Sequence, residues 1–156
     1  MKASGVGIAL ETPLQPEILA LIDASDAFAA SLYAAEHRHA VGVERLTADD
    51  ARFLVARRGG RALGCVGLVV DGAQAEIKRM FVHDDARGLG IGGLLMTSIE
   101  NLARSEGVRL VQLETGPRND AALKLYAKQG YRPCGPFGSY RPSPGSVFME
   151  KTLTPE

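Results

Sequence analysis

Residues 76–93 read EIKRMFVHDDARGLGIGG. The first seven, Glu76 to Val82, have the look of a strand. The last seven, Arg87 to Gly93, form a glycine-rich turn that opens into an apolar helical stripe of Leu94, Leu95, Ile99 and Leu102. Strand, glycine turn and helix start, in that order, aim several backbone N–H groups and the positive end of a helix dipole at one spot. Such a spot binds phosphate or pyrophosphate. Glycine suits it because a Cβ would block close backbone approach and left-handed dihedrals. The stretch therefore predicts a mixed α/β chain that holds a phosphate-bearing ligand.

Working toward the N-terminus, Ala75–Val82 is preceded by the turn Asp71-Gly72 and by the apolar strands Arg52–Arg57 and Arg61–Val70, joined at Gly59-Gly60. Paired glycines between apolar runs are a strong hairpin signal, so these strands form an antiparallel meander. Residues 36–50 carry no clear period and suggest a short helix. Before them, Pro16 suits the first turn of a helix running to about Ala35, with Ile18, Leu19, Ile22, Ala29 and Leu32 on helical period, and Ile8–Glu11 is a first strand. Toward the C-terminus, Gly107 ends the helix after the glycine loop and Arg109–Glu114 is a strand. Asn119 is a good N-cap for a helix reaching Gln129, with Gly130 as its C′ residue. Tyr131 begins another strand, a Pro/Gly-rich loop runs from Pro133 to Gly145, and Ser146–Leu153 is the last strand.

At 156 residues with no repeat or linker, the chain is expected to form one domain, residues 1–156. Lysine plus arginine balance aspartate plus glutamate at 18 each, so no net field draws the chain to nucleic acid or a membrane surface. The first residues lack a long apolar run, so neither a leader nor a membrane span is expected. Cys65 and Cys134 are too few for a disulfide framework, and two reduced thiols in a cytoplasmic protein is the expectation. His37 and His39 have no carboxylate or cysteine cluster at ligand spacing, and His83-Asp84-Asp85 reads as a polar loop, so no metal is expected.

Three phosphate-binding patterns compete. Walker A is absent, because no Gly-Lys-Ser/Thr follows the loop. Gly88-x-Gly90-x-x-Gly93 satisfies the dinucleotide fingerprint literally, with Glu114 about 20 residues on as a ribose-binding acid would be. Against it, five residues separate Val82 from Gly88, the strand carries Glu76, Lys78 and Arg79, and only 63 residues follow Gly93. The third pattern explains more. Arg87-x-x-Gly90-x-Gly92 after Met80-Phe81-Val82 resembles the coenzyme A pyrophosphate loop of the GNAT superfamily of N-acetyltransferases. Asn119 to Tyr126, followed by Gly130-Tyr131, is similar to that superfamily's second signature. The likeness runs from Ile8 to Leu153, with one departure at Asp84, where the pattern often has proline. The tail Cys134-Gly135-Pro136-Phe137, with Tyr140 and Ser146 to Met149, resembles a bacterial subgroup labelled indole-acetate-type acetyltransferases.

The resemblance implies an α+β fold whose mixed, mostly antiparallel sheet of six to seven strands is flanked by about four helices. It implies acetyl-CoA as co-substrate and direct transfer of its acetyl group, in a ternary complex, to a primary amine of a small molecule, either a simple amine or an amino-acid-like compound. The coenzyme would be held by Arg87, Gly88, Leu89, Gly90, Ile91, Gly92 and Gly93, by N–H groups near Phe81 and Val82, and by Asn119. Tyr126 would protonate the departing thiolate. A free phenol has a pKa of about 10 and a thiol about 8.5, so the transfer is uphill by only about 2 kcal/mol. The plain alternative for Tyr126 is a core aromatic on the stripe of Leu123 and Ala127. Glu76 would be the base, directly or through water; its plain alternative is a strand charge paired with Lys78 or Arg79. Candidate acceptor contacts are Tyr33, Glu114, Thr115, Phe137 and Tyr140, with Arg132 or Arg141 facing a substrate carboxylate and Tyr33 to Arg45 forming the opposite wall. Dimers are common in the superfamily, and no feature here marks a dimer surface. Two rivals remain: a non-catalytic acyl-CoA-sensing module and the dinucleotide-binding protein.

Overall fold

The computed structural model describes residues 4–38 and 40–155. His39 lies outside the described residues. Among the described residues seven strands form one sheet: β1 (Val6–Leu10), β2 (Ala51–Arg58), β3 (Arg61–Asp71), β4 (Gln74–Val82), β5 (Leu110–Thr115), β6 (Arg132–Cys134) and β7 (Val147–Thr152). Their spatial order is β1-β2-β3-β4-β5-β7-β6. The meander from β1 to β4 is antiparallel, as the turns require; at the β2–β3 turn Gly59 and Gly60 both take positive φ, 56° and 81°, which matches the twist of a two-residue hairpin. The pairing of β4 with β5 is parallel, and helix α2 (Ile91–Ser105) makes the crossover between them.

Among the described residues three α-helices flank the sheet rather than about four: α1 (Pro16–Leu32), α2 and α3 (Asp120–Lys128). Residues 36–50, expected as a short helix, hold two 3-10 turns instead, Ala35–His37 and Val43–Thr47. They lack the apolar period that a helix needs to bury a face. Helix α1 starts with Pro16 in its first turn but stops at Leu32, and it turns Leu21 to the core where Leu19 was expected; Leu19 is exposed. Strand β6 begins at Arg132, because Tyr131 is drawn into the core instead.

The pleat of the sheet sorts the core into two layers. Phe53 and Val55 of β2 and Cys65 of β3 face α1, packing with Ile18, Leu21, Ile22 and Phe81. Leu54 and Ala56, with Val66, Leu68 and Ile77, face α2 and α3 and pack on Leu95, Met96, Ile99 and Tyr126. No described helix is long and apolar enough to cross a membrane. Both cysteines are free, Cys65 buried and Cys134 half-buried.

Candidate active site

The site exists because β4 and β5 separate. Their pairing covers only Gln74–Glu76 against Leu110–Gln112, after which β4 runs on to Val82 and β5 to Thr115 with no further backbone pairing between them. A bulge in β4 accompanies the parting. Cys65 pairs with Phe81 and Gly67 with Lys78, so three steps on β4 oppose two on β3. Arg79 takes the extra place with φ 54°, the sole positive φ outside glycine among the described residues, at a cost of roughly 1–3 kcal/mol. Its guanidinium donates to Val41 O (3.0 Å) and to the Asp26 carboxylate, and its carbonyl accepts from Cys65 Sγ (3.3 Å). These bonds hold the bulge. Past it, His83 N donates to Leu63 O (2.8 Å), so strand alternation turns the Val82 amide away from β3 and into the splay.

On one side of the splay a cavity of about 360 Å³ is lined by Phe28, Met80, Phe81, Val82 and the glycine loop. Gly88 and Gly90 sit at φ 81° and 80° with no atom within 4 Å of where a Cβ would be. Gly92 and Gly93 do a different job within α2: Cβ atoms there would meet Leu125 at 3.0 Å and Gln129 at 3.3 Å, so they let α3 approach. The four glycines thus divide, two for the loop and two for the helix contact. The first intrahelical bond of α2 runs from Leu94 N to Gly90 O. The amides of Ile91, Gly92 and Gly93 precede it, no side chain caps them, and the first turn has no acid. A helix of 15 residues thereby presents an uncapped positive end beside this cavity. Arg87 lies at the rim, its Nε 3.2 Å from Asp84 Oδ1 and its guanidinium 4.9 Å from the Phe28 ring centre. Asp84, the departure from a pattern that often has proline there, is therefore that arginine's partner in the loop. Leu89 packs against the apolar core on the α2 side rather than lining the cavity.

A second cavity, about 160 Å³, lies on the other side and shares Ser25, Ala29, Tyr33, Met80, Asn119 and Tyr126 with the first. Tyr126 is the link. Its ring is buried, edge-on to Tyr131 with centres 6.0 Å apart, and its hydroxyl makes no hydrogen bond among the described residues. Burial, with Glu114 nearby, holds the phenol well above its ordinary pKa, so it stays protonated. Asn119 caps α3 by accepting from Ala122 N at 3.2 Å, while its side chain also borders both cavities.

Glu76, Glu114, Thr115 and Tyr140 line this second cavity, and Tyr33 closes it. Glu76 Oε2 accepts from the Tyr140 hydroxyl (2.6 Å) and pairs with Lys78 Nζ (2.8 Å), which in turn bonds the Tyr140 hydroxyl at 2.6 Å. Burial and the Glu76 hydrogen bond push the Tyr140 phenol upward. Glu114 Oε2 accepts from Ser146 Oγ at 2.7 Å. The triad of Glu76, Lys78 and Tyr140 also borders an outer groove of about 800 Å³ formed with residues 138–143.

Phe137, expected at the acceptor, packs edge-on against Tyr140 and Phe148, with ring centres 5.1 and 5.7 Å away. It lines neither the inner cavity nor the groove; the aromatic that reaches both is Tyr140. Arg132 faces Glu150 at 3.9 Å on the surface, and Arg141 borders the outer groove. Lys78, Ser25 and Phe28 went unremarked as site residues. Ser25 and Phe28 carry no motif, but Lys78 stands two residues from Glu76 on a strand, where period-two spacing places it on the same face. Among the described residues no group of three His, Cys, Asp or Glu side chains gathers to hold a metal.

A strand that splays from its parallel neighbour beside an uncapped, glycine-led helix makes a site for a phosphate-bearing ligand with free backbone amides beside it. The Acetyltransferase (GNAT) family model matches residues 20–131, and the chain belongs to that family. An IAA acetyltransferase from Azospirillum brasilense is 45% identical over 150 residues, covering 95% of this chain and 98% of its own. The solved structure of a candidate acyl-CoA N-acyltransferase from Klebsiella pneumoniae superposes with a TM-score of 0.83 at 32% identity, covering 97% of this chain and 99% of that one. A GNAT acetyltransferase from Elizabethkingia anophelis, solved with acetyl-CoA bound, shares the fold at a TM-score of 0.72 and 19% identity, covering 96% and 99% of the two chains. The dinucleotide alternative is thereby overturned. The strand before the glycine loop is parallel to β5 only over Gln74–Glu76 and lies antiparallel to β3 along its length, whereas that fingerprint belongs to a mostly parallel sheet.

Proposed function

We propose that the protein moves the acetyl group of acetyl-CoA to the primary amine of a small, amino-acid-like molecule, directly and with both substrates bound. The observation that carries this is the meeting of two cavities at the unpartnered Tyr126 hydroxyl. One cavity is apolar and ends at a phosphate-type helix terminus; the other is lined by carboxylates and hydroxyls. The fit to coenzyme A rests on the uncapped amides of Ile91 to Gly93 and the open space over Gly88 and Gly90. Direct transfer needs no enzyme nucleophile, in keeping with Cys65 being buried, its thiol pushed up to about 12 by burial, and lining neither cavity.

Acetyl-CoA supplies a thioester whose carbonyl carbon accepts the amine and whose sulfur leaves as thiolate. The loop amides and Arg87 hold the phosphates. The Val82 N–H, turned into the splay, donates to the thioester oxygen as negative charge builds there. Glu76 Oε2 is spent on Lys78 and Tyr140, which leaves Oε1 to take the proton of the amine, directly or through a water. Tyr126 gives its proton to the sulfur. Burial makes the phenol a weaker acid, but the same dry surroundings raise the basicity of a thiolate, so the two shifts offset.

The test pairs ligand binding with turnover. Acetyl-CoA and CoA should raise the melting temperature, by linkage about 2.7 kcal/mol at a hundredfold excess over the dissociation constant, whereas NAD should not. Thiol release should then follow on adding a primary amine. A stabilising response to CoA with no thiol release from any amine would favour the sensing module, and no response to CoA would refute both readings.

A further inference from the structure

Among the described residues three lysine and arginine side chains line the acceptor cavity, and two are committed. Lys78 is held by Glu76 and Tyr140, and Arg79 by Asp26 and Val41 O. The third is Arg38, whose guanidinium has no hydrogen bond or ion pair among the described residues. Its backbone is nevertheless fixed. The Arg38 amide donates to Ala35 O (3.2 Å), closing the 3-10 turn that follows α1.

That turn is docked at two points by glycines. The Tyr33 ring lies so close to Gly116 that a Cβ there would sit 2.0 Å from it, and the Tyr33 hydroxyl accepts from Arg118 N at 2.9 Å. His37 lies against Gly145, where a Cβ would come within 2.8 Å. Gly116 follows β5 and Gly145 precedes β7, so residues 33–38 form a strap fastened to the far side of the splay. The strap carries Arg38 to the cavity.

Resting on the acetyl-transfer reading of this site, we infer that Arg38 selects the acceptor by pairing with a carboxylate on it, so that the acceptor is a small amine bearing a carboxylate. Asp26 and Glu76 already have their cations, and Glu114 is bonded to Ser146. The unmatched cation in the cavity among the described residues is a guanidinium, whose planar fork binds carboxylate through two parallel hydrogen bonds. An amine lacking that carboxylate gains nothing from Arg38.

The experiment is thiol release from acetyl-CoA with the protein amino acids, each set beside the amine left when its α-carboxylate is removed. The wild type, Arg38→Met and Arg38→Lys are compared. The wild type should favour the amino acid of a pair. Arg38→Met should erode that preference roughly ten- to a hundredfold, through KM rather than kcat, and Arg38→Lys should restore part of it. Stabilisation by acetyl-CoA should persist in both variants, which separates loss of the clamp from loss of the fold. A preference as large in Arg38→Met as in the wild type overturns the assignment while leaving acetyl transfer standing, as does a wild type that favours the decarboxylated amines. No thiol release from any amine overturns the transfer reading and the clamp together.

Discussion

Replacing Tyr126 by phenylalanine separates the chemistry of the hydroxyl from the packing of the ring. The ring fills the core beside α2 and sits edge-on to Tyr131 at 6.0 Å between centres, contacts a phenylalanine keeps. The hydroxyl bonds to nothing among the described residues, so its removal breaks no protein hydrogen bond. A paired hydroxyl would cost about 1 kcal/mol to delete; here stability should move by less than about 0.5 kcal/mol. In a chain of this size that is a melting shift below roughly 2 °C. Loss of a general acid, by contrast, should lower kcat by roughly 10²–10⁴-fold, about 3–5 kcal/mol at the transition state. Acetyl-CoA affinity should change only a few-fold, since the thiolate forms after binding. The assays are urea denaturation, titration with acetyl-CoA, and thiol release at saturating substrates. A kcat within threefold of wild type would refute the acid role. A dissociation constant that rises in step with the lost rate would make the hydroxyl a binding group instead, and a stability loss above about 1 kcal/mol would contradict the unpartnered geometry.

Lys151→Met should be strongly destabilising, because Lys151 Nζ is 2.7 Å from Glu100 Oε1 and 2.6 Å from Gln129 O. Glu100 is buried and its Oε2 has no hydrogen-bond partner among the described residues, so a stranded carboxylate should cost about 3 kcal/mol, at the low end for a buried pair because Lys151 is partly exposed; Glu100→Leu added to it should recover most of the loss in urea melts. Gly90→Ala and Gly107→Ala both place a Cβ at positive φ (80° and 85°) in open space and should each cost about 1 kcal/mol. Only Gly90→Ala should weaken CoA binding, by tenfold or more, in a titration; equal affinities would remove the loop from the phosphate site. Stability should fall as pH rises above 9.0, where the unfolded Cys65 thiol releases its proton while burial holds the folded thiol protonated to about 12. The unfolded state alone gains from that release, so the slope from this group is a loss of about 1.4 kcal/mol per pH unit across the window. Cys65→Ala should flatten the limb in urea melts taken across that range.

What could be read from the chain beforehand is what neighbours in sequence decide. Gly59-Gly60 and Asp71-Gly72 specify the turns of the meander, Asn119 caps the helix it precedes, and the crossover from β4 through α2 to β5 follows from strand, loop and helix patterns in series. What escaped is set by partners far along the chain. Arg79 looks like one more strand charge, and only Asp26 and Val41, 53 and 38 residues away, make it the keystone of a bulge. Tyr140 and Phe137 sit three residues apart in the same Pro/Gly-rich loop with equal claim to the acceptor. The choice between them falls to Glu76 and Lys78, which take the Tyr140 hydroxyl, while Phe137, with no polar atom to offer, turns to Phe148. The same logic applies to Glu76. The resemblance to the family suggests a base, but which of its oxygens is free depends on a lysine two residues on and a tyrosine 64 residues on. Tyr140→Phe should therefore matter to catalysis although Tyr140 reacts with nothing: without its hydroxyl, Glu76 and Lys78 lose the group that bridges them. The expected sign is a lower kcat that Glu76→Gln in the same chain does not lower in proportion, because both changes act on one carboxylate. Fully multiplicative losses would mean that Tyr140 acts on the acceptor itself and not through Glu76.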